Sequence, residues 1–125
     1  MICGRSTILL HCGGRIVSLR SVRTGVEFLL PPLQNHTPVS SSSFALRNNG
    51  RSDGCLPSIA ACPARNGEAA VPDHGDVWRA DWHIESASPD MVLHADARSR
   101  PLRLHRSMQL KHATLHFDYT LRNLS

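Results

Sequence analysis

A period of two dominates the C-terminal third of the chain. Between 102 and 111, Leu102, Leu104, Met108 and Leu110 fall on one side, and Arg103, His105, Ser107, Gln109 and Lys111 on the other. Between 115 and 122, Leu115, Phe117, Tyr119 and Leu121 alternate with His116, Asp118, Thr120 and Arg122. Successive side chains of a strand point to opposite faces, so each run predicts a strand with one wet face. The short interval at Lys111 and His112 predicts that residues 102–111 pair antiparallel with 113–122, with Leu104 and Phe117 buried on the apolar side. Arg106 breaks the pattern by standing among the apolar positions.

Upstream, residues 91–97, 6–11 and 15–20 also predict strands. The last two are separated by Cys12-Gly13-Gly14, whose glycines permit the positive φ of a tight turn. Thr24-Gly25 predicts another turn and 26–30 another strand, stopped at Pro31-Pro32 because proline has no ladder N–H. Residues 33–49 predict a long loop with a serine run at 40–43. Residues 50–75 read as irregular, broken by Pro57, Pro63 and Pro72. Long loops in compact domains are often functional, which makes 50–82 the place to look for a site.

No stretch shows the i, i+3, i+4, i+7 spacing of an amphipathic helix, so the expected fold class is all-β, an antiparallel meander without crossover helices. A length of 125 residues predicts one domain, 1–125. A strong strand running almost to Ser125 predicts an open pairing edge, and the chain is therefore expected to be an N-terminal portion of something larger.

Composition narrows the class. Hydrophobic residues at 41% and charged residues at 19% suit a globular chain rather than a disordered one. The net charge of +4 raises the question of nucleic acid. The arginines are scattered, however, and the one dense basic run, 98–111, alternates like a solvated strand face, so no nucleic-acid partner is expected. Ile8-Leu9-Leu10 is too short for a signal segment or a membrane span, which predicts a cytoplasmic protein with no membrane partner. Cys3, Cys12, Cys55 and Cys62 form no CxxC pair and are expected to be free, mostly buried thiols. The eight histidines show no zinc-type spacing, so no metal is expected. His94, His105, His112 and His116 lie in strand-like runs and are expected to face solvent. No feature fixes an oligomeric state.

Three stretches in order resemble the aldose 1-epimerase (galactose mutarotase-like) family. The first is Gly13-Gly14-Arg15-Ile16-Val17-Ser18-Leu19 with Thr24-Gly25-Val26-Glu27-Phe28-Leu29, which resembles the family's opening hairpin. The second is Ser52-Asp53-Gly54-Cys55-Leu56-Pro57-Ser58-Ile59, followed by Pro72-Asp73-His74-Gly75-Asp76-Val77-Trp78-Arg79 and Trp82. The third is Leu102-Arg103-Leu104 through Leu115 to Asn123, which resembles paired strands ending in a Tyr-x-x-x-Asn pattern. The resemblance implies an antiparallel β-sandwich of which this chain is the N-terminal portion. It also implies an isomerase that interconverts the α and β anomers of an aldose sugar by acid–base ring opening, with no cofactor.

By the resemblance, His74 matches the histidine that contacts the ring oxygen. Histidine suits that task because it exchanges protons near neutral pH. Asp73 or Asp76 would fix its tautomer, and Gly75 would let a ligand approach the backbone. Trp78 and Trp82 have two readings, as sugar-stacking faces or as core. In an extended segment Arg79 would lie opposite Trp78, either bonding sugar hydroxyls or simply on the surface. Asp53 stands where related chains carry an acid, and turn formation explains it equally well. There are departures: Gly54 replaces a second acid, the arginine segment of the better-known mutarotases is missing, and neither Glu27, Glu68 nor Glu85 matches the catalytic glutamate. That glutamate and a second histidine belong to the family's C-terminal half. The 125 residues alone are therefore expected to be inactive. The alternative is a non-catalytic carbohydrate-binding protein on the same scaffold.

Overall fold

The computed structural model describes residues 4–30, 54–111 and 114–125. Six strands form in them: β1 (Gly4–Leu9), β2 (Arg15–Ser21), β3 (His83–Ser86), β4 (Met91–Ala97), β5 (Leu102–Lys111) and β6 (Thr114–Asn123). They make two antiparallel sheets, the hairpin β1-β2 and the meander β3-β4-β5-β6. Two short 3₁₀ turns, Leu10–Cys12 and Val77–Arg79, complete the regular structure of the described residues. The fold is all-β, as the period of two predicts. No helix among the described residues is long and apolar enough to cross a membrane.

The β5-β6 ladder runs from Leu102 opposite Asn123 to Lys111 opposite Thr114 without a slip. This register puts Leu104 beside Leu121 and Met108 beside Phe117, so the apolar sets of both strands share one face. Leu104 and Met108 are buried there, whereas Phe117 is only half-buried, because β6 lies at the edge of the sheet. The core gathers Leu93, Ala95 and Ala97 of β4, Leu104 of β5, and Val77, Ala80 and Trp82 from the preceding segment, with Ile8, Leu10 and Leu56 packed against it.

Arg106 keeps its strand position and is fully buried. Its guanidinium lies 4.4 Å from the centre of the Trp82 ring and donates from Nη2 to the Gly14 carbonyl. An aromatic face and a backbone oxygen thus accommodate a cation where the pattern demands an apolar residue.

Residues 26–30 do not become a strand. Phe28 N–H donates to the Leu19 carbonyl at 2.9 Å, but the Leu19 N–H donates to the Glu27 carboxylate at 2.7 Å instead of to a backbone carbonyl. Ser18 Oγ donates to the other carboxylate oxygen at 2.6 Å. These bonds, that from Ser18 foremost, hold the Glu27 carboxyl below the usual glutamate range. A side chain has occupied the ladder site, and pairing stops at the single Arg20–Glu27 bridge.

Conversely, part of the stretch read as irregular is a small hairpin. Cys62 and Val71 exchange backbone hydrogen bonds at 3.0 and 2.9 Å, and Arg65 bridges Glu68 around Asn66-Gly67. Both turn residues have positive φ, 52° and 80°, as the tightest hairpin turns require. The described cysteines are Cys12, Cys55 and Cys62, of which Cys12 and Cys62 are free thiols. They are not buried as expected: Cys55 and Cys62 are exposed and Cys12 half-buried, since irregular surface segments carry them.

Candidate functional site

The segment that carries the resemblance is held in place from three sides. Pro72-Asp73-His74-Gly75 closes a turn in which the Gly75 N–H donates to the Pro72 carbonyl at 2.9 Å. His74 stands at φ 58° and Gly75 at φ 72°, both left-handed. Such a conformation is unusual for histidine and persists only where the surroundings impose it. Here His74 N–H donates to the Ile59 carbonyl at 2.8 Å and Asp76 N–H to the Leu56 carbonyl at 2.7 Å. A Cβ on Gly75 would lie 1.9 Å from the Leu56 carbonyl oxygen. The glycine therefore serves the close approach of the chain's own 56–57 backbone, and the expected opening for a ligand is filled by Leu56.

The two tryptophans form the underside of the turn. Each is 2% exposed. Trp78 Nε1 donates to the Asp73 carbonyl at 3.2 Å, and Trp82 Nε1 to the Val77 carbonyl at 2.9 Å. Of the two readings for these residues, burial favours the core: neither indole presents an open face for a sugar to stack on. The segment is not extended either. Val77–Arg79 is a 3₁₀ turn, so Arg79 does not lie opposite Trp78; its guanidinium sits 5.7 Å from the Trp78 ring centre while the residue stays exposed.

The opening glycine turn is fastened to the same segment. Gly13 N–H donates to the Ala80 carbonyl, and Trp82 N–H to the Leu10 carbonyl, each at 3.1 Å. A Cβ on Gly13 would lie 1.7 Å from the Trp78 carbonyl oxygen, and one on Gly14 2.5 Å from the Trp82 ring. Two of the three resembling stretches are thus in direct contact.

Of the residues singled out by sequence, Asp73 and His74 come together. Asp73 Oδ2 lies 2.9 Å from His74 Nδ1, with the aspartate side chain about half exposed and the imidazole a quarter exposed. The contact is an ion-pair approach rather than an aligned hydrogen bond. Asp76 is not part of this pair. It is buried, and its Oδ2 accepts from Ser99 N–H at 2.8 Å and from Ser99 Oγ at 2.5 Å, tying the turn to the β4-β5 connection. Asp53 lies outside the described residues.

The other described carboxylates are mostly engaged elsewhere. Glu68 pairs with Arg100 at 3.0 Å, Glu85 with His105 at 3.0 Å, and Asp96 with Arg103 at 2.6 Å. Asp81 faces His11 at 3.3 Å, and Asp90 accepts from Gln109. Within the dense basic run Arg100 and Arg103 are ion-paired and Arg106 is buried, while Arg98 and Lys111 stand exposed near its two ends, so the run presents no continuous charged stripe.

Sequence reasoning missed a row of imidazoles. His83, His94 and His105 stand directly opposite one another on β3, β4 and β5, with ring centres 5.4 and 5.6 Å apart. Glu85 reaches the Nδ1 atoms of His105 and His94 at 3.0 and 3.9 Å. His94 and His105 therefore shield each other and do not stand open to solvent as expected; His116 does, and His112 lies outside the described residues. Desolvation first, then Arg103, lowers the His94 pKa, with His105 and His83 adding to the effect. The strand register was the missing signal. Among the described residues no cluster of histidine, cysteine and carboxylate groups converges on a metal position.

The chain matches no protein-family model, no curated protein and no solved structure.

Proposed function

We propose that this chain is the N-terminal portion of an aldose 1-epimerase-like isomerase, built as a β-sandwich of the galactose mutarotase-like type, with an aldose sugar as substrate. The observation that carries the reading is the Asp73–His74 pair on its left-handed turn, in the segment that resembles the family. In this reading His74 donates a proton from Nε2 to the ring oxygen as a base removes the anomeric hydroxyl proton. The C1–O bond to the ring opens, the aldehyde rotates, and reclosure on the other face returns both protons. Asp73, at ion-pair distance, orients the imidazole. Arg79, exposed beside the turn, is placed to bond sugar hydroxyls. Trp78, Trp82 and Asp76 position the turn without touching substrate.

The base lies outside the described residues in this reading, as the resemblance implies. In the full-length parent, His74→Ala lowers the rate of anomer interconversion by about 10² to 10⁴, the usual range for losing one acid–base group, while leaving folding little changed. Polarimetry of freshly dissolved α-anomer reads this directly. An unchanged rate in a folded variant removes His74 from the mechanism.

One observation favours the alternative of a non-catalytic sugar-binding protein: every described carboxylate except Asp73 and Asp118 is hydrogen-bonded or ion-paired away from the turn. Sugar binding by the parent with no acceleration of interconversion would establish it.

A further inference from the structure

The outer edge of β6 is unusually bare. Its inner edge pairs with β5 along the whole strand, and among the described residues no strand pairs with the outer one. Proteins normally blunt such an edge with proline, inward charge or a bulge. β6 has none of these, and its ladder is regular from Thr114 to Asn123. On its apolar side Tyr119 and Leu121 remain 53% and 51% exposed. On its polar side Asp118 and Arg122 have no ion-pair partner among the described residues. Arg122 stands directly across from Arg103, a like charge already committed to Asp96.

We propose that β6 pairs antiparallel with β6 of a second copy of this chain, about a twofold axis through Thr120, joining the two meanders into one continuous sheet. The sequence of the strand selects this register. In an antiparallel pair, directly opposed residues share a face. With the axis at Thr120, Asp118 opposes Arg122 of the second copy, and Tyr119 opposes its Leu121. Twofold symmetry repeats each contact, giving two ion pairs on the polar face and two apolar contacts on the other. Moving the axis to Asp118 sets two aspartates against each other. Moving it to Arg122 does the same with two arginines. An axis at Tyr119 leaves Asp118 opposite Thr120 and Arg122 opposite His116. Only the Thr120 register relieves the unpaired Arg122 and covers both exposed apolar side chains. The inference competes with the sandwich reading, in which a further strand of a longer chain takes this same edge, and a folded 125-residue chain that stays monomeric decides against the second copy.

Sedimentation and light scattering on the 125-residue chain across a dilution series test it, with circular dichroism to verify folding. The expected result is a reversible species of twice 13.8 kDa whose dissociation constant rises with salt, because edge ion pairs are screened. Asp118→Arg alone and Arg122→Asp alone should each weaken association by about tenfold or more, through two like-charge contacts. The double variant should restore it. A monomer at every concentration, an association indifferent to salt, or a double variant as weak as the single ones overturns the proposal.

Discussion

The Arg106 guanidinium lies 4.4 Å from the centre of the Trp82 ring, and Trp82 in turn packs on the Gly14 backbone. The arginine also bonds the Gly14 carbonyl, so one buried cation joins β5, the tryptophan segment and the opening turn. Its stem fills core volume that a leucine or methionine would otherwise take. Replacing Arg106 with alanine removes that volume, the ring contact and the hydrogen bond together. The expected loss is about 3 kcal/mol, read as a lower urea midpoint. Arg106→Met keeps most of the volume and relieves the desolvation of a charge, so it should recover at least half of that loss. Equal destabilisation by both variants would show that the charge, rather than the packing, is what the site requires.

Glycine substitutions should sort by what a Cβ meets. Gly67 has φ +80° with nothing within 4 Å, so Gly67→Ala carries backbone strain alone, about 1 kcal/mol. Gly14→Ala adds a collision with the buried Trp82 ring, a side chain rather than backbone. Gly13→Ala drives a methyl into the Trp78 carbonyl, which is backbone. We expect the loss of stability to rise in the order Gly67, Gly14, Gly13, the last on the order of 3 kcal/mol or more. Thermal unfolding of the three single variants gives the order, and a Gly13→Ala protein as stable as Gly67→Ala would contradict the contact between the opening turn and Trp78.

The alternation of apolar residues made the meander legible from sequence because β5 and β6 have one wet face and an uninterrupted ladder. The same logic failed at 26–30, where apolar residues recur but Glu27 captures the ladder N–H of Leu19. It failed in the opposite sense at 62–71. There proline and alanine hide the strand pattern, and the signal was the Asn66-Gly67 dipeptide, whose two residues take left-handed φ without strain. At the candidate site the sequence left Asp73 and Asp76 both open as partners of His74, and the fold brings Asp73 to it while Asp76 turns to Ser99. The role of Gly75 was not legible, because its reason is Leu56, a contact 19 positions away that no local pattern encodes.

The histidine row makes stability depend on pH. His94 is flanked by His83 and His105, with Arg103 nearby and Glu85, among the described residues, the only carboxylate at hydrogen-bonding or ion-pair reach of the row. Its pKa in the folded state is lowered, so the unfolded chain binds the proton more readily. The sign follows: the neutral imidazole's contribution is complete above the unfolded value of about 6.5 and is lost as pH falls through the folded value. Asp96, lowered by Arg103, acts in a separate window, its contribution lost only as pH falls below the ordinary aspartate range. Urea midpoints should therefore drop between neutral pH and about pH 5, and His94→Gln should flatten that interval while leaving the more acidic loss in place. A wild-type midpoint constant over the first interval would mean that the row is not desolvated.

The 125-residue chain alone should not accelerate mutarotation. Ring opening needs a base at the anomeric hydroxyl and an acid at the ring oxygen, held in one geometry. The chain offers an imidazole for the acid at His74. For the base it offers nothing suitably placed among the described residues. Asp73 lies against the imidazole's own Nδ1, Asp76 is bound to Ser99, and Glu27, Glu68 and Glu85 to Ser18, Arg100 and His105. Losing one general catalyst removes about 10² or more of rate. The tryptophans lie beneath the turn and present no wall against which a sugar could be oriented, which removes further rate through lost positioning. Polarimetry on fresh α-glucose or α-galactose, with and without the purified chain, gives the comparison. A clear acceleration that disappears in His74→Ala would place the base within these residues, and Asp53, outside the described set, would be the first to substitute. An acceleration that survives His74→Ala would move the chemistry away from the turn altogether.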